Sequence, residues 1–122
     1  MTTSETHLNP AALARLNELL GEQAATILPT LVAQYEVQVP QLLTQIETAL
    51  TQNDVAVTRR AAHTLKTNAA YFGAEQLQAV AYAIEQAAKS NDLAGVAALL
   101  TSAKDAFAQT NQALYALKGG GS

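Results

Sequence analysis

Apolar side chains recur at steps of three and four along most of the chain, which is the period of an amphipathic α-helix. The longest run contains Leu93, Val96, Leu100, Ala103, Phe107, Thr110, Leu114 and Leu117. A seam with this period packs on neighbouring helices at a shallow angle, as in four-helix bundles. β-branched residues are scattered and form no alternating runs, so the pattern predicts an all-α protein.

Five helical segments follow from this periodicity. They are expected at about residues 10–20, 22–52, 55–72, 74–90 and 93–117. Short connections place consecutive helices antiparallel. We therefore predict an antiparallel up-down four-helix bundle made by the last four segments, with the short first helix capping one end. The bundle should cover residues 8–117, between a flexible N-terminus at 1–7 and a flexible, linker-like tail at 118–122.

Residues with known preferences for helix ends support these boundaries. Two connections read Asn-Asp, at 53–54 and 91–92, and both residue types are good N-caps because a short side chain can accept a hydrogen bond from the first turn. Gly73 can end the third helix in the left-handed conformation. Asn9 is expected to cap the first helix, which Gly21 ends.

The second helical segment contains two prolines, Pro29 and Pro40. A proline inside a helix removes one backbone donor and clashes with the preceding turn. We therefore expect a bend or a break near Pro40, and two helices instead of one remain an alternative.

Composition excludes several classes of function. The chain has 122 residues, the size of one domain, and 49% of them are hydrophobic, which is enough for a core. It has no Cys, which excludes disulfides, thiolate metal sites and a Cys nucleophile. A net charge of −3 without a basic stripe argues against nucleic-acid binding. No apolar run approaches the ~20 residues of a membrane span and the start resembles no signal peptide, so we expect a cytoplasmic protein.

One of the two histidines is a candidate for chemistry. His7 lies near the start and receives no role, whereas His63 lies in the middle of the third helix. On a helical wheel it falls roughly 120° from the centre of the apolar stripe, which places the ring at the edge of the buried face, in contact with water. Its helical neighbours are Arg59, Arg60, Lys66, Thr67 and Ala70.

The cations around His63 suggest a chemical role. Three positive side chains within one turn disfavour the protonated ring, and a neutral ring nitrogen is a nucleophile. Lys66 can pair with the anionic oxygens of a phosphoryl group on that ring. An exposed His among basic residues is, however, more commonly a solvated surface. The sequence has no glycine-rich phosphate loop and no Glu-x-x-His pair, and metal binding through one usable His is improbable.

The segment 61–74 reads AAHTLKTNAAYFGA and resembles the signature of histidine phosphotransfer domains. That pattern is Ala-His-x-Leu-Lys, a run of small residues, and an apolar residue followed by Gly-Ala. The similarity extends over about residues 8–117, with Asp54 in a turn ahead of the histidine, Asn91-Asp92 in a second turn, and Pro40 in the preceding long helix. The chain departs from the pattern at Thr67, Asn68 and Ala69, where the family commonly has Gly or Ser after the lysine.

The resemblance implies a phosphorelay function. His63 corresponds to the phosphoacceptor, Lys66 to the residue that stabilises the phosphoryl group, and Gly73 to the helix-terminating residue. The phosphoryl group would pass from a receiver-domain aspartate to His63 and on to another receiver. The chain would need no cofactor of its own, because the receiver brings Mg²⁺, and it would have no autonomous kinase activity.

The partners implied by the resemblance are response-regulator receiver domains and a hybrid histidine kinase. We expect a monomer, because the single His63 makes dimerisation unnecessary for transfer. We expect the docking surface on the third and fourth helices, at Arg59, Arg60, Thr67, Ala70, Tyr71 and Tyr82. Two alternatives stay open: a helical module that binds a receiver or kinase without carrying phosphate, and a purely structural bundle.

Overall fold

The computed structural model describes residues 10–115, and every regular element in that range is helical. The five helices are α1 (Pro10–Leu20), α2 (Ala24–Thr51), α3 (Val55–Tyr71), α4 (Glu75–Lys89) and α5 (Leu93–Tyr115), and a 3₁₀ turn at Gly21–Gln23 joins α1 to α2. The all-α prediction is confirmed, with helix boundaries within two residues of those expected. No helix in this range has both the length and the hydropathy needed to cross a membrane.

The last four helices form the predicted up-down bundle. Consecutive helices pack side by side, and α2 packs against α5 to close the ring. Helix α1 lies against α2 and α3. The short connections between helices make this arrangement antiparallel.

The core combines large aliphatic side chains with alanines. Fully buried large residues include Val32, Val39, Ile46, Leu65, Leu77, Ile84 and Val96. Each contributes about 1.5–3 kcal/mol through removal of its side chain from water. On α3 and α4 several of the buried residues are alanines, namely Ala61, Ala62, Ala69, Ala81 and Ala88. Such small side chains allow two helix axes to approach closely.

The two Asn-Asp connections use their residues in the same way. Asn53 and Asn91 adopt left-handed backbone conformations, with φ of 54° and 61°. Asp54 and Asp92 each accept a hydrogen bond from the backbone amide three residues later, at 3.1 and 2.9 Å. The asparagine therefore ends one helix and the aspartate caps the next, because Asn tolerates positive φ and a carboxylate satisfies a free amide.

Gly73 ends α3 as predicted, with φ of 66°. Its amide donates to the carbonyl of Ala70 at 3.1 Å, and the amide of Ala74 donates to that of Ala69 at 3.0 Å. These bonds satisfy carbonyls at the helix end. They also fix the point at which the chain turns back, and therefore the register of α4 against α3.

The break considered near Pro40 is absent, so the two-helix alternative is wrong and α2 runs unbroken from Ala24 to Thr51. Pro40 lies on the exposed side of the helix, where water can replace the lost backbone hydrogen bond. On the buried side, Val39 and Leu43 pack in the core on either side of the proline. Their burial favours continuation of the helix past the proline.

Some sequence predictions fall on residues that the structure does not describe. These are the flexible termini at 1–7 and 118–122, the Asn9 cap, His7 and Leu117. The side chains of Leu13 and Leu114 also lie outside the described set.

Candidate functional site

The His63 side chain lies on the outer side of α3, and 60% of its surface is accessible to solvent. Its neighbours Ala62 and Leu65 are completely buried. The inner face of the helix is therefore held in the core while the ring remains open to water, as the helical wheel predicted. A partner protein can reach this ring without any rearrangement of the bundle.

A carboxylate from α4 contacts the ring. Glu85 Oε2 lies 3.1 Å from His63 Nδ1, and Glu85 Oε1 accepts a hydrogen bond of 2.8 Å from Lys66 Nζ. Only 17% of the Glu85 side chain is exposed. The two α3 residues, one helical turn apart, are thus joined through the two oxygens of a single carboxylate.

This contact selects one tautomer of the neutral His63 ring. An ionised carboxylate only accepts hydrogen bonds, so the proton of the neutral ring belongs on Nδ1, facing Glu85. The other nitrogen, Nε2, then carries the free lone pair. The site therefore presents a nucleophile at the ring nitrogen that Glu85 does not contact.

Glu85 is held in its charged form. The hydrogen bond from Lys66 lowers the pKa of the Glu85 carboxyl, burial opposes this change, and the hydrogen bond from His63 lowers the pKa further. Because the pKa is depressed on folding, the interaction stabilises the protein at neutral pH. That contribution is lost as the pH falls through the lowered pKa of the folded state.

Lys66 has a second neighbour on α4. Its ammonium lies 5.3 Å from the centre of the Tyr82 ring, within the range of a cation–π interaction. The Lys66 side chain is 25% exposed, so it is partly covered yet remains reachable from solvent.

Glu85 was not predicted from the sequence, so the expected surroundings of His63 contained three cations and no carboxylate. The spacing of residues about the turn could have indicated Glu85. His63 lies eleven residues before Ala74 and Glu85 eleven residues after it, while Lys66 and Tyr82 each lie eight residues away. In an antiparallel helical hairpin, residues at equal distances from the turn lie at the same level.

The residues predicted to bind a partner are all exposed. Arg59 and Arg60 precede His63 on α3, and Tyr82 lies on α4 beside Lys66. The remaining three line a shallow groove of about 270 Å³ together with α1; the full lining is Arg15, Leu16, Leu19, Thr67, Ala70 and Tyr71.

The contribution of α1 to this groove was not predicted. Leu19 is 78% exposed and gives the groove an apolar side chain. It lies outside the stripe formed by Leu13, Leu16 and Leu20. A leucine off the buried stripe of α1 was the feature of the sequence that could have indicated this contribution, although single exposed leucines are common on protein surfaces.

Thr67, where the chain departs from the family pattern, makes a local contact. Its hydroxyl donates to the main-chain carbonyl of His63 at 3.2 Å. This bond engages the hydroxyl within its own helix. The described residues contain no group of three or more His, Cys, Asp or Glu side chains that could hold a metal ion.

Comparison with known proteins places this site in context. The sequence model of the family described as "Hpt domain" matches residues 30–119. The structure is similar to the crystal structure of histidine-containing phosphotransfer protein B (HptB) from Pseudomonas aeruginosa PAO1, with a TM-score of 0.79 and 25% sequence identity, over 93% of this chain and 95% of that chain. Comparison with curated protein sequences gives no match. The range matched by the family model contains His63, Lys66 and Glu85.

Proposed function

Because this chain belongs to the Hpt domain family and is a histidine phosphotransfer module of phosphorelays, we propose that His63 is its phosphoacceptor. The observation that carries the proposal is the exposed ring whose Nδ1 faces a carboxylate, which leaves Nε2 as the nucleophile. Nothing in the described contacts covers the approach to that nitrogen.

The proposed reaction is a displacement at phosphorus. The lone pair of His63 Nε2 forms a bond to the phosphorus of a receiver's phospho-aspartate, and the bond between phosphorus and the aspartate oxygen breaks with its electron pair. No proton has to leave Nε2. The ring gains positive charge as the N–P bond forms, and the Glu85 carboxylate at Nδ1 stabilises that charge.

Lys66 is proposed to stabilise the transferred group. Its ammonium has three donors, and the structure engages one of them with Glu85. The others are available to anionic phosphoryl oxygens on the neighbouring ring, one helical turn away. His63, Glu85 and Lys66 belong to one chain, so a monomer carries the complete set.

The partner is proposed to supply the rest of the chemistry. A receiver domain, free or within a hybrid histidine kinase, would bring the phosphorylated aspartate and Mg²⁺. This chain would position one nucleophile on a rigid helix and carry the phosphoryl group onward to a second receiver. Hpt domains are phosphocarriers rather than kinases, which agrees with this division of roles.

Replacing Glu85 by Gln should slow phosphorylation of His63 at least about tenfold. The amide side chain carries no charge to stabilise the ring, and loss of a hydrogen bond to a charged group costs about 1.5–3 kcal/mol. Long-range ¹H–¹⁵N correlations of the His63 ring should show the Nδ1–H tautomer in the parent protein and a mixture in the variant. Rapid-quench labelling from a phosphorylated receiver measures the rate.

A matched control is Glu47→Gln, which also removes an ion pair between helices, with Lys104, but lies away from the ring. It should leave both the tautomer and the labelling rate unchanged. Equal rates for Glu85→Gln and the parent protein would remove Glu85 from the proposed mechanism.

The groove between α1 and α3 is proposed to receive part of the receiver surface. Replacing Tyr71 by Ala should slow transfer from a phosphorylated receiver about tenfold, because exposed aromatic side chains commonly provide a large share of binding energy. Labelling by phosphoramidate, a small donor that needs no docking, should not change. The exposed Val37, which lies outside the groove, serves as a control through Val37→Ala. Equal slowing with both donors would show that Tyr71 affects the reaction site and not docking.

A further inference from the structure

Tyr82 contacts the phosphoryl site, although its exposure first suggested a role in docking. It does not line the groove between α1 and α3. Its ring instead lies beside Lys66, with 5.3 Å between the ammonium and the ring centre. The Lys66 ammonium also donates to Glu85 at 2.8 Å, so α4 contacts it through a carboxylate and an aromatic ring.

These two contacts differ in whether they occupy an N–H donor of Lys66. Glu85 occupies one N–H donor of Lys66 and competes with any other anion for it. The ring face attracts the ammonium through its quadrupole and needs no particular donor. A phosphoryl group on His63 can therefore accept from the remaining donors of Lys66 while the ring holds the ammonium near the site.

Restricting the Lys66 side chain affects the site because a lysine side chain is long and flexible. A lysine side chain loses rotamer entropy when it is fixed in one conformation. A neighbour that already restricts the side chain reduces the cost of placing it against the phosphoryl oxygens. The contact follows from the hairpin: Gly73 sets the turn, and the buried Ala81 holds this part of α4 against the bundle core.

We propose that Tyr82 is a positioning residue of the phosphoryl site, whose ring keeps the Lys66 ammonium beside His63. This inference rests on the proposed function of His63 and Lys66. It predicts that the ring, and not the hydroxyl, is the functional part of Tyr82.

The test compares Tyr82→Leu with Tyr82→Phe. The phosphorylated protein is first separated from the receiver that labelled it. In Tyr82→Leu its phosphohistidine should then decay about two- to fivefold faster, as expected from loss of one cation–π contact. In Tyr82→Phe the lifetime should match the parent protein. The methylene protons of Lys66 next to its ammonium supply a direct signature, because a ring face shifts them upfield in the parent protein and in Tyr82→Phe but not in Tyr82→Leu.

Two further variants separate positioning from general effects. Val37→Ala truncates another exposed side chain, on α2, and should not alter the lifetime. In a Lys66→Ala background, Tyr82→Leu should have no additional effect, because a residue that acts through Lys66 has nothing left to position.

The outcomes distinguish this inference from the proposed function. Absence of label on His63 in the parent protein would overturn the proposed function. Label on His63 with the same lifetime in the parent protein and in Tyr82→Leu would overturn the role of Tyr82 alone. Faster decay in Tyr82→Phe equal to that in Tyr82→Leu would also overturn it, since the ring would then not be the functional part.

Discussion

Replacing His63 by Gln should abolish labelling by a phosphorylated receiver domain and leave the helical circular dichroism spectrum unchanged. Gln has no ring nitrogen that can attack phosphorus, so the expected loss is complete. The helical structure should not change, because the His63 side chain is 60% exposed and Gln is a good helix former. The measurement is incorporation of labelled phosphate, with a test that the label is labile in acid and stable in base, as phosphohistidine is.

His7→Gln provides the matched control, since it removes the other histidine and should label normally. Normal labelling of the His63→Gln variant would contradict the site assignment. A parent protein that binds receivers without acquiring label would instead support the interaction-module alternative. Failure to bind any receiver would support the structural bundle.

Replacing Leu65 by Ala should lower the free energy of unfolding by about 2–5 kcal/mol. Leu65 is completely buried two residues from His63, on the opposite face of α3. The variant loses the transfer free energy of the leucine and leaves a cavity that the surrounding helices fill only in part. Domains of this size have total stabilities of about 5–15 kcal/mol, so a loss of this size is easily measured by urea denaturation.

The control is Leu19→Ala, which truncates a leucine that is 78% exposed. Its free energy of unfolding should change by no more than about 0.5 kcal/mol, as is usual for surface positions. Similar losses for both variants would contradict the assignment of Leu65 to the core. Under native conditions, labelling of Leu65→Ala should fall only in proportion to the unfolded fraction, because Leu65 does not contact the His63 ring.

The fold was largely predictable because its determinants are local. The residues of the α3 stripe, such as Ala62, Leu65 and Ala69, are buried as their spacing predicted. The left-handed conformation of Gly73 likewise followed from its position after an apolar run. Pro40 was the exception: helix propensity disfavours it, but burial of neighbouring side chains outweighs that local penalty.

The site was predictable only in part, because half of it is nonlocal. His63 and Lys66 share one helix, so their proximity follows from a spacing of three residues. Glu85 and Tyr82 belong to the next helix, and their contacts depend on the register set at Gly73. Short-range patterns carry no information about such pairs unless the hairpin geometry is worked out first.

Small buried side chains on the two helices that carry the site affect its chemistry. Ala62 and Ala69 of α3 and Ala81 of α4 are completely buried, so none of them has space for a larger side chain. The His63–Glu85 contact of 3.1 Å joins the same two helices. A bulkier residue at any of these buried positions should shift α3 or α4 within the bundle and lengthen that contact. The relay could thus be silenced from inside the bundle, with every residue of the outer site unchanged.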